Sequence, residues 1–148
     1  MAWWDKIGNG RMIERATLVL GIATTPLFSV AGGRILLTNI IGTITTLIGG
    51  VANVFLQANP TVATATTTAL CAALNINAFP IGNILGITGV PGDAMIPAVT
   101  GSVIPTPTMP VVIPIGDIEF VCDAAPGGAV QWSIWYKPLD DAAYAVAA

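Results

Sequence analysis

Residues 34–56 read RILLTNIIGTITTLIGGVANVFL, the longest apolar run in the chain, with no charge after Arg34. The run meets the roughly 20 apolar residues that a membrane-spanning helix requires. Its composition points elsewhere. Thr38, Asn39, Thr43, Thr45, Thr46 and Asn53 interrupt it, Gly42, Gly49 and Gly50 punctuate it, and its apolar residues are mainly β-branched. Such side chains are stiff at χ1 and suit a pleated sheet better than a helix. No aromatic belt or Lys/Arg cluster brackets both ends, as a membrane span would have. The run therefore reads as two buried strands with Gly49-Gly50 between them, and the two-glycine turn predicts that they pair as a hairpin.

The flanking sequence continues in short strands. Upstream, Leu18-Val19-Leu20 and Leu27-Phe28-Ser29-Val30 lie on either side of Thr25-Pro26, and Gly32-Gly33 turns the chain into the long run. Downstream, Asn59-Pro60 stops the return strand. Residues 61–68 are rich in Thr and Ala and suit an edge strand or a loop. Residues 69–76 read as a strand, with a short helix over 68–74 as the rival because Ala and Leu are good helix formers. IGNILGITG at 81–89 predicts a further strand, Pro91-Gly92-Asp93 a turn, and residues 95–99 another strand. Residues 97–114 hold five prolines, so they suit neither a helix nor a central strand and predict an extended edge segment. Val103, Ile104, Val111, Val112, Ile113 and Ile115 are too apolar for a disordered linker.

The clearest hairpin signal comes last. In residues 118–122, Ile118, Phe120 and Cys122 alternate with Glu119 and Val121, and Pro126-Gly127-Gly128 turns into residues 129–137. There Val130, Trp132, Ile134 and Tyr136 share one face, and Gln131, Ser133 and Trp135 the other. Trp135 is thus a large aromatic on the face expected to meet solvent or a partner. Residues 142–148 read as a weak tail, and residues 1–17, broken at Gly8-Asn9-Gly10, as an amino-terminal arm. The whole is expected to be all-β: one antiparallel β-sandwich over 18–148, of which a jelly roll is one form. No internal repeat is visible.

Of the 148 residues, 54% are hydrophobic and only 9% charged, against about a quarter charged in ordinary soluble domains. Residues 1–34 carry a net +2, residues 35–92 carry no charge, and the remainder carries −5, giving −3 in all. A surface so short of charge is expected to be covered by other protein, in an oligomer or a larger assembly. The basic arm and acidic body favour head-to-tail contact between copies, although scattered solubilising charges would give the same count. Trp3 and Trp4, with Arg11 and Arg15 one helical turn apart, are candidate partner contacts in the arm, and Trp135 is the candidate in the body. No apolar leader of signal-peptide type opens MAWWDKIGNGR, which leads to the expectation of folding in the cytoplasm, with Cys71 and Cys122 as buried free thiols rather than a disulfide.

Enzymatic chemistry finds no foothold. The chain has no histidine, hence neither the commonest general base nor the usual zinc ligand. Asp117 and Glu119 fall on one strand face and Asp140-Asp141 in a turn, but neither pair approaches the six to eight oxygens of a calcium site. The glycines form no phosphate-binding motif, and five basic residues are too few for a nucleic-acid footprint. The expectation is a protein without catalytic, cofactor or metal sites, and without membrane or nucleic-acid partners.

Several segments resemble, in pattern and order, a family of small structural proteins encoded among the head and tail genes of tailed bacteriophages. They are Asn59-Pro60-Thr61, then Leu70-Cys71-Ala72-Ala73-Leu74-Asn75-Ile76, and Gly86-Ile87-Thr88-Gly89 followed by Asp93-Ala94. Val112-Ile113-Pro114-Ile115-Gly116-Asp117-Ile118 and residues 130–141, VQWSIWYKPLDD, complete the series. The resemblance implies a β-rich virion protein present in many copies, assembled in the host cytoplasm. The capsid decoration or cement role it suggests would have the protein bind the major capsid protein of the shell as a trimer, with a tail, neck or baseplate component as the alternative. The two amino-terminal tryptophans fall outside the matching pattern.

Overall fold

The computed structural model of the chain describes residues 10–62, 64–98 and 109–148. Its strands in chain order are β1 (Arg11–Glu14), β2 (Leu18–Val19), β3 (Ala23–Ala31), β4 (Ile35–Thr46), β5 (Val51–Pro60), β6 (Thr68–Ala69) and β7 (Leu74–Asn77). There follow β8 (Ile84–Gly86), β9 (Ile96–Ala98), β10 (Val111–Ile113), β11 (Gly116–Cys122), β12 (Ala129–Pro138) and β13 (Tyr144–Ala147). The described residues contain no helix. The fold is an all-β sandwich of two antiparallel sheets. One runs β1-β12-β4-β8-β9, with β10 also on β4 and β2 on β12; the other runs β13-β3-β11-β5-β6, with β7 also on β5.

The long apolar run supplies a central strand to each sheet, but its halves do not pair. β4 pairs with β12 over ten positions and β5 with β11 over seven, so residues 47–50 carry the chain from one sheet to the other. The expected hairpin is an arch. Its backbone donors are taken up by other loops rather than by a ladder: Ile48 N donates to Phe79 O at 3.1 Å and Gly49 N to Pro126 O at 3.0 Å. The hairpin expected around Pro126-Gly127-Gly128 is corrected in the same way, because β11 and β12 lie in opposite sheets. The physical reason is common to both. Each strand has one apolar face, and an arch lays two such faces against each other, whereas a hairpin would point both the same way and require a further layer to cover them.

Two bulges make the alternation work. In β4 the register with β12 skips Thr38, between Leu37↔Tyr136 and Asn39↔Trp135. The skip changes parity, so Ile35 and Leu37 before it and Ile40 and Ile44 after it are all buried. In β3 the register with β11 skips Leu27, and adjacent Leu27 and Phe28 are both fully buried. At the centre, Trp132 of β12 meets Phe120 of β11 across the core, ring centroids 5.4 Å apart and planes inclined at 49°. The Trp132 ring lies across Gly42 of β4; a Cβ there would stand 2.8 Å from ring carbon Cζ3.

The first and last described segments belong to the sheets. Arg11–Glu14, expected within the arm, forms the edge strand β1 on β12, and the expected weak tail forms β13 on β3. The strand expected over 69–76 is interrupted, since β6 and β7 are separated by residues 70–73 in which Leu70 and Cys71 are buried, and the rival helix over 68–74 does not form. The proline-rich segment keeps to an edge where it is described. Pro97 sits in edge strand β9, and Pro110 and Pro114 bracket β10. The rest of that segment, and the arm before Gly10, lie outside the described residues.

Substituting Gly42→Val should therefore overpack the contact with Trp132 and lower unfolding stability by about 1–3 kcal/mol. Urea denaturation followed by tryptophan fluorescence measures this, and an unchanged midpoint would contradict the packing described.

Candidate interaction surface

The outward face of the β1-β12-β4 sheet carries the side chains that alternation leaves out of the core. Trp135 is half-buried there, in register with Met12 of β1 on one side and Asn39 of β4 on the other. Met12 is 52% exposed, whereas Asn39, a polar side chain, is buried on this outer face. Leu36 and Ile41 of β4 are half-buried on the same face, and Val112 of β10, in register with Leu36, is 53% exposed. Together Met12, Trp135, Leu36, Ile41 and Val112 make an apolar strip across the sheet, with no third layer of described residues over it.

Of the residues anticipated as partner contacts, Arg11, Arg15 and Trp135 converge on the β1–β12 edge of this sheet. Arg11 opposes Tyr136, and Arg15 follows β1 with its backbone N–H donating to Trp132 O at 2.9 Å. The Arg15 guanidinium donates to Ala16 O at 3.1 Å, and Gln131 Nε2 donates to Glu14 Oε1 at 2.8 Å. Trp3 and Trp4 lie outside the described residues. Sequence reasoning missed Leu36, Ile41 and Val112. The available signal was the paired apolar residues on either side of Thr38-Asn39, which plain alternation does not produce and a bulge does.

The outer face of the other sheet is polar. Glu119, only 7% exposed, accepts from Gln57 Nε2 at 2.6 Å and Asn59 Nδ2 at 2.9 Å. Asp117, on the same face, accepts from Ser29 Oγ at 2.7 Å. Asp123 accepts from the Asn53 backbone N–H and from Asn53 Nδ2, both at 2.7 Å, and these bonds hold its carboxyl below the usual range. Each carboxylate is thus committed to neutral donors of its own sheet, and among the described residues no group of three or more His, Cys, Asp or Glu is placed to hold a metal. The exposed positions from Ile35 to Gly92 are largely Thr, Asn, Ala and Gly. The missing charge in that span therefore has two causes: core burial and a neutral polar surface.

The corner between β3 and β4 is clamped from the carboxy-terminal end. Gly32, at φ +74°, lies against the Ala142 carbonyl, where no side chain fits. Next to it Asp140 accepts from Arg34 three times, from its backbone N–H at 2.7 Å, Nε at 3.0 Å and Nη2 at 2.9 Å. These bonds bring the Asp140 carboxyl down to about 2 from an ordinary 3.8 and raise Arg34. Cys71 and Cys122 are free and buried. Burial pushes both thiols up, which keeps them protonated and poor nucleophiles. Among the described residues no helix is long and apolar enough to cross a membrane.

Compared with known proteins, the chain matches no family model, no curated protein and no solved structure.

Because the Asp140 carboxyl is depressed on folding, its contribution is complete above about pH 4 and is lost as pH falls towards 2. Urea midpoints across this range should fall more steeply for the wild type than for Asp140→Asn, and more so at low salt. Both cysteines should resist an aromatic disulfide reagent in the folded protein and react on unfolding in urea. Rapid reaction in buffer alone would contradict their burial.

Proposed function

We propose that this protein is a structural component of a bacteriophage virion: a decoration or cement protein that binds the head shell as a trimer. The observation that carries the reading is the apolar strip of Met12, Trp135, Leu36, Ile41 and Val112 on the outer face of the β1-β12-β4 sheet, over which no described residues form a third layer. A sheet face bearing apolar side chains at its centre and neutral polar ones around it is suited to burial against another protein surface. Arg11, Arg15 and Lys137 stand along the same sheet edge and supply the charge that orients an encounter with an acidic shell surface.

Two further features support an assembly role. The surface from Ile35 to Gly92 offers hydroxyls and amides instead of charges, so contact with a neighbour desolvates few ions. The resemblance to phage head and tail structural proteins extends over residues 59–61, 70–76, 86–89, 93–94, 112–118 and 130–141, taking in most of β10, the start of β11 and most of β12. The major capsid protein is the partner in this reading, and repeated copies of the chain surround it.

Trp135→Ala and Met12→Ser, alone and combined, should weaken binding to expanded capsid shells by about tenfold or more, as loss of an aromatic anchor does. Thermal stability should change little, because both side chains lie outside the core. Cosedimentation with shells measures the first effect and calorimetry the second. Full shell binding by the double variant would overturn the assignment of this face, and labelled virions carrying the protein only on the tail would overturn the head assignment.

A further inference from the structure

A strand at the edge of a sheet turns a row of unpaired N–H and C=O groups outward, where they can template another strand. Among the described residues most edges carry something that discourages this. β1 has Arg11 and Glu14, β9 holds Pro97, β10 lies between prolines, β2 and β6 are two residues long, and β7 presents Asn75 and Asn77. The strand β13, Tyr144-Ala145-Val146-Ala147, has no charge, proline or amide side chain. It ends its sheet, with β3 on one side and no strand of the described residues on the other.

The geometry of this edge is self-complementary. Ala148 N donates to Leu27 O at 3.0 Å, one step beyond the pair Ala147↔Phe28. Ladder bonds alternate along an antiparallel pair, so Tyr144 and Val146 turn their backbone groups toward β3, and Ala145 and Ala147 turn theirs to the open side. Side chains alternate as well: Ala145 is buried in the core, whereas Tyr144 and Val146 are 46% and 47% exposed on the outer face. A second copy of the strand, related by a two-fold axis through Ala145, satisfies both patterns. The two Ala145 residues exchange N–H···O bonds at a Cα separation of about 5.5 Å, and Tyr144 of each copy stands opposite Val146 of the other at about 4.5 Å. An aromatic and a β-branched side chain make a favourable cross-strand pair, and the axis makes it twice.

Other segments of the same molecule match this edge less well. Asp5 and Lys6 are adjacent, so a strand running through both would put a charge on its core side. Ala98 in β9 and Met109 against Gly89 stand on the side of the sandwich beyond β4, whereas β13 shares the side of β1.

We infer that β13 is a self-association edge, at which it pairs antiparallel about a two-fold axis with β13 of a second copy and joins the two six-stranded sheets into one. A two-fold contact does not close a trimer, so in the virion it links copies that belong to adjacent trimers. The inference does not rest on the virion role, and it uses no residue of the face assigned to the shell.

Sedimentation equilibrium of the full chain at tens of micromolar, without shells, should show dimers. Ala147→Pro removes an outward-facing donor, and Val146→Lys puts charge on the edge. Both should keep the circular dichroism of the wild type, and losing edge bonds in both copies should weaken association by about tenfold or more. Trp3→Ala/Trp4→Ala should dimerise as the wild type does. Under mild oxidation an equal mixture of Tyr144→Cys and Val146→Cys chains should cross-link and either alone should not, because position 144 opposes position 146 and not itself. A monomeric wild type, unchanged association of a folded edge variant, dimers that form only with Trp3→Ala/Trp4→Ala, or cross-linking without preference for the mixture would overturn the inference. Shell binding is measured separately: a monomer that binds shells removes the edge contact alone, and a dimer that fails to bind them removes only the virion reading.

Discussion

The sandwich depends on one contact, the Trp132 ring lying across Gly42 and against Phe120. It joins the central strand of each sheet and fills the space between them. A large residue at 132 requires the absence of a side chain at 42, and that pairing fixes which residues of β12 and β4 face each other. Once Trp132↔Gly42 is set, Ile134, Tyr136 and Val130 are committed to the core and Trp135 to the outside. The bulge at Thr38 then allows β4 to keep its apolar residues inward along its whole length.

Much of this was legible in the sequence, and the failures share a cause. Alternation in residues 129–137 gave the inward and outward sets correctly, Trp135 included, because a long strand with one buried face leaves a period-two trace. Gly49-Gly50 and Pro126-Gly127-Gly128 were correctly read as chain reversals. A glycine pair reports that the chain turns, however, and not whether the next strand hydrogen-bonds to the last or faces it across a core. That choice is made by long-range partners, β12 for β4 and β11 for β5, which no local window contains. β1 and β13 escaped notice for a related reason. Four residues with little apolar pattern become strands only because a longer strand presents them with a free edge.

The two outer faces divide the surface chemistry. One binds its own carboxylates into neutral amide and hydroxyl contacts, which leaves it polar but without free charge. The other carries the apolar strip, with the anticipated Trp135 within it and Arg11 and Arg15 along its β1 edge. Their convergence was not visible in the sequence, where Arg15 and Trp135 are far apart, and it arises from the pairing of β1 with β12.

The arches also bear on how the chain acquires its structure. Neighbours in sequence become partners across the core, so the ladders join residues separated by much of the chain, as Leu37 and Tyr136 are. β4 emerges early in synthesis and finds only the short strands β8 and β10 before β12 is made. Closing such loops precedes the reward of the contacts they bring, which places the protein among slow folders. Meanwhile its most apolar segment waits without its main partner. The threonines and asparagines spread through residues 34–56 keep that waiting strand solvated, and the trait that first argued against a membrane helix thereby also guards the nascent chain against premature association.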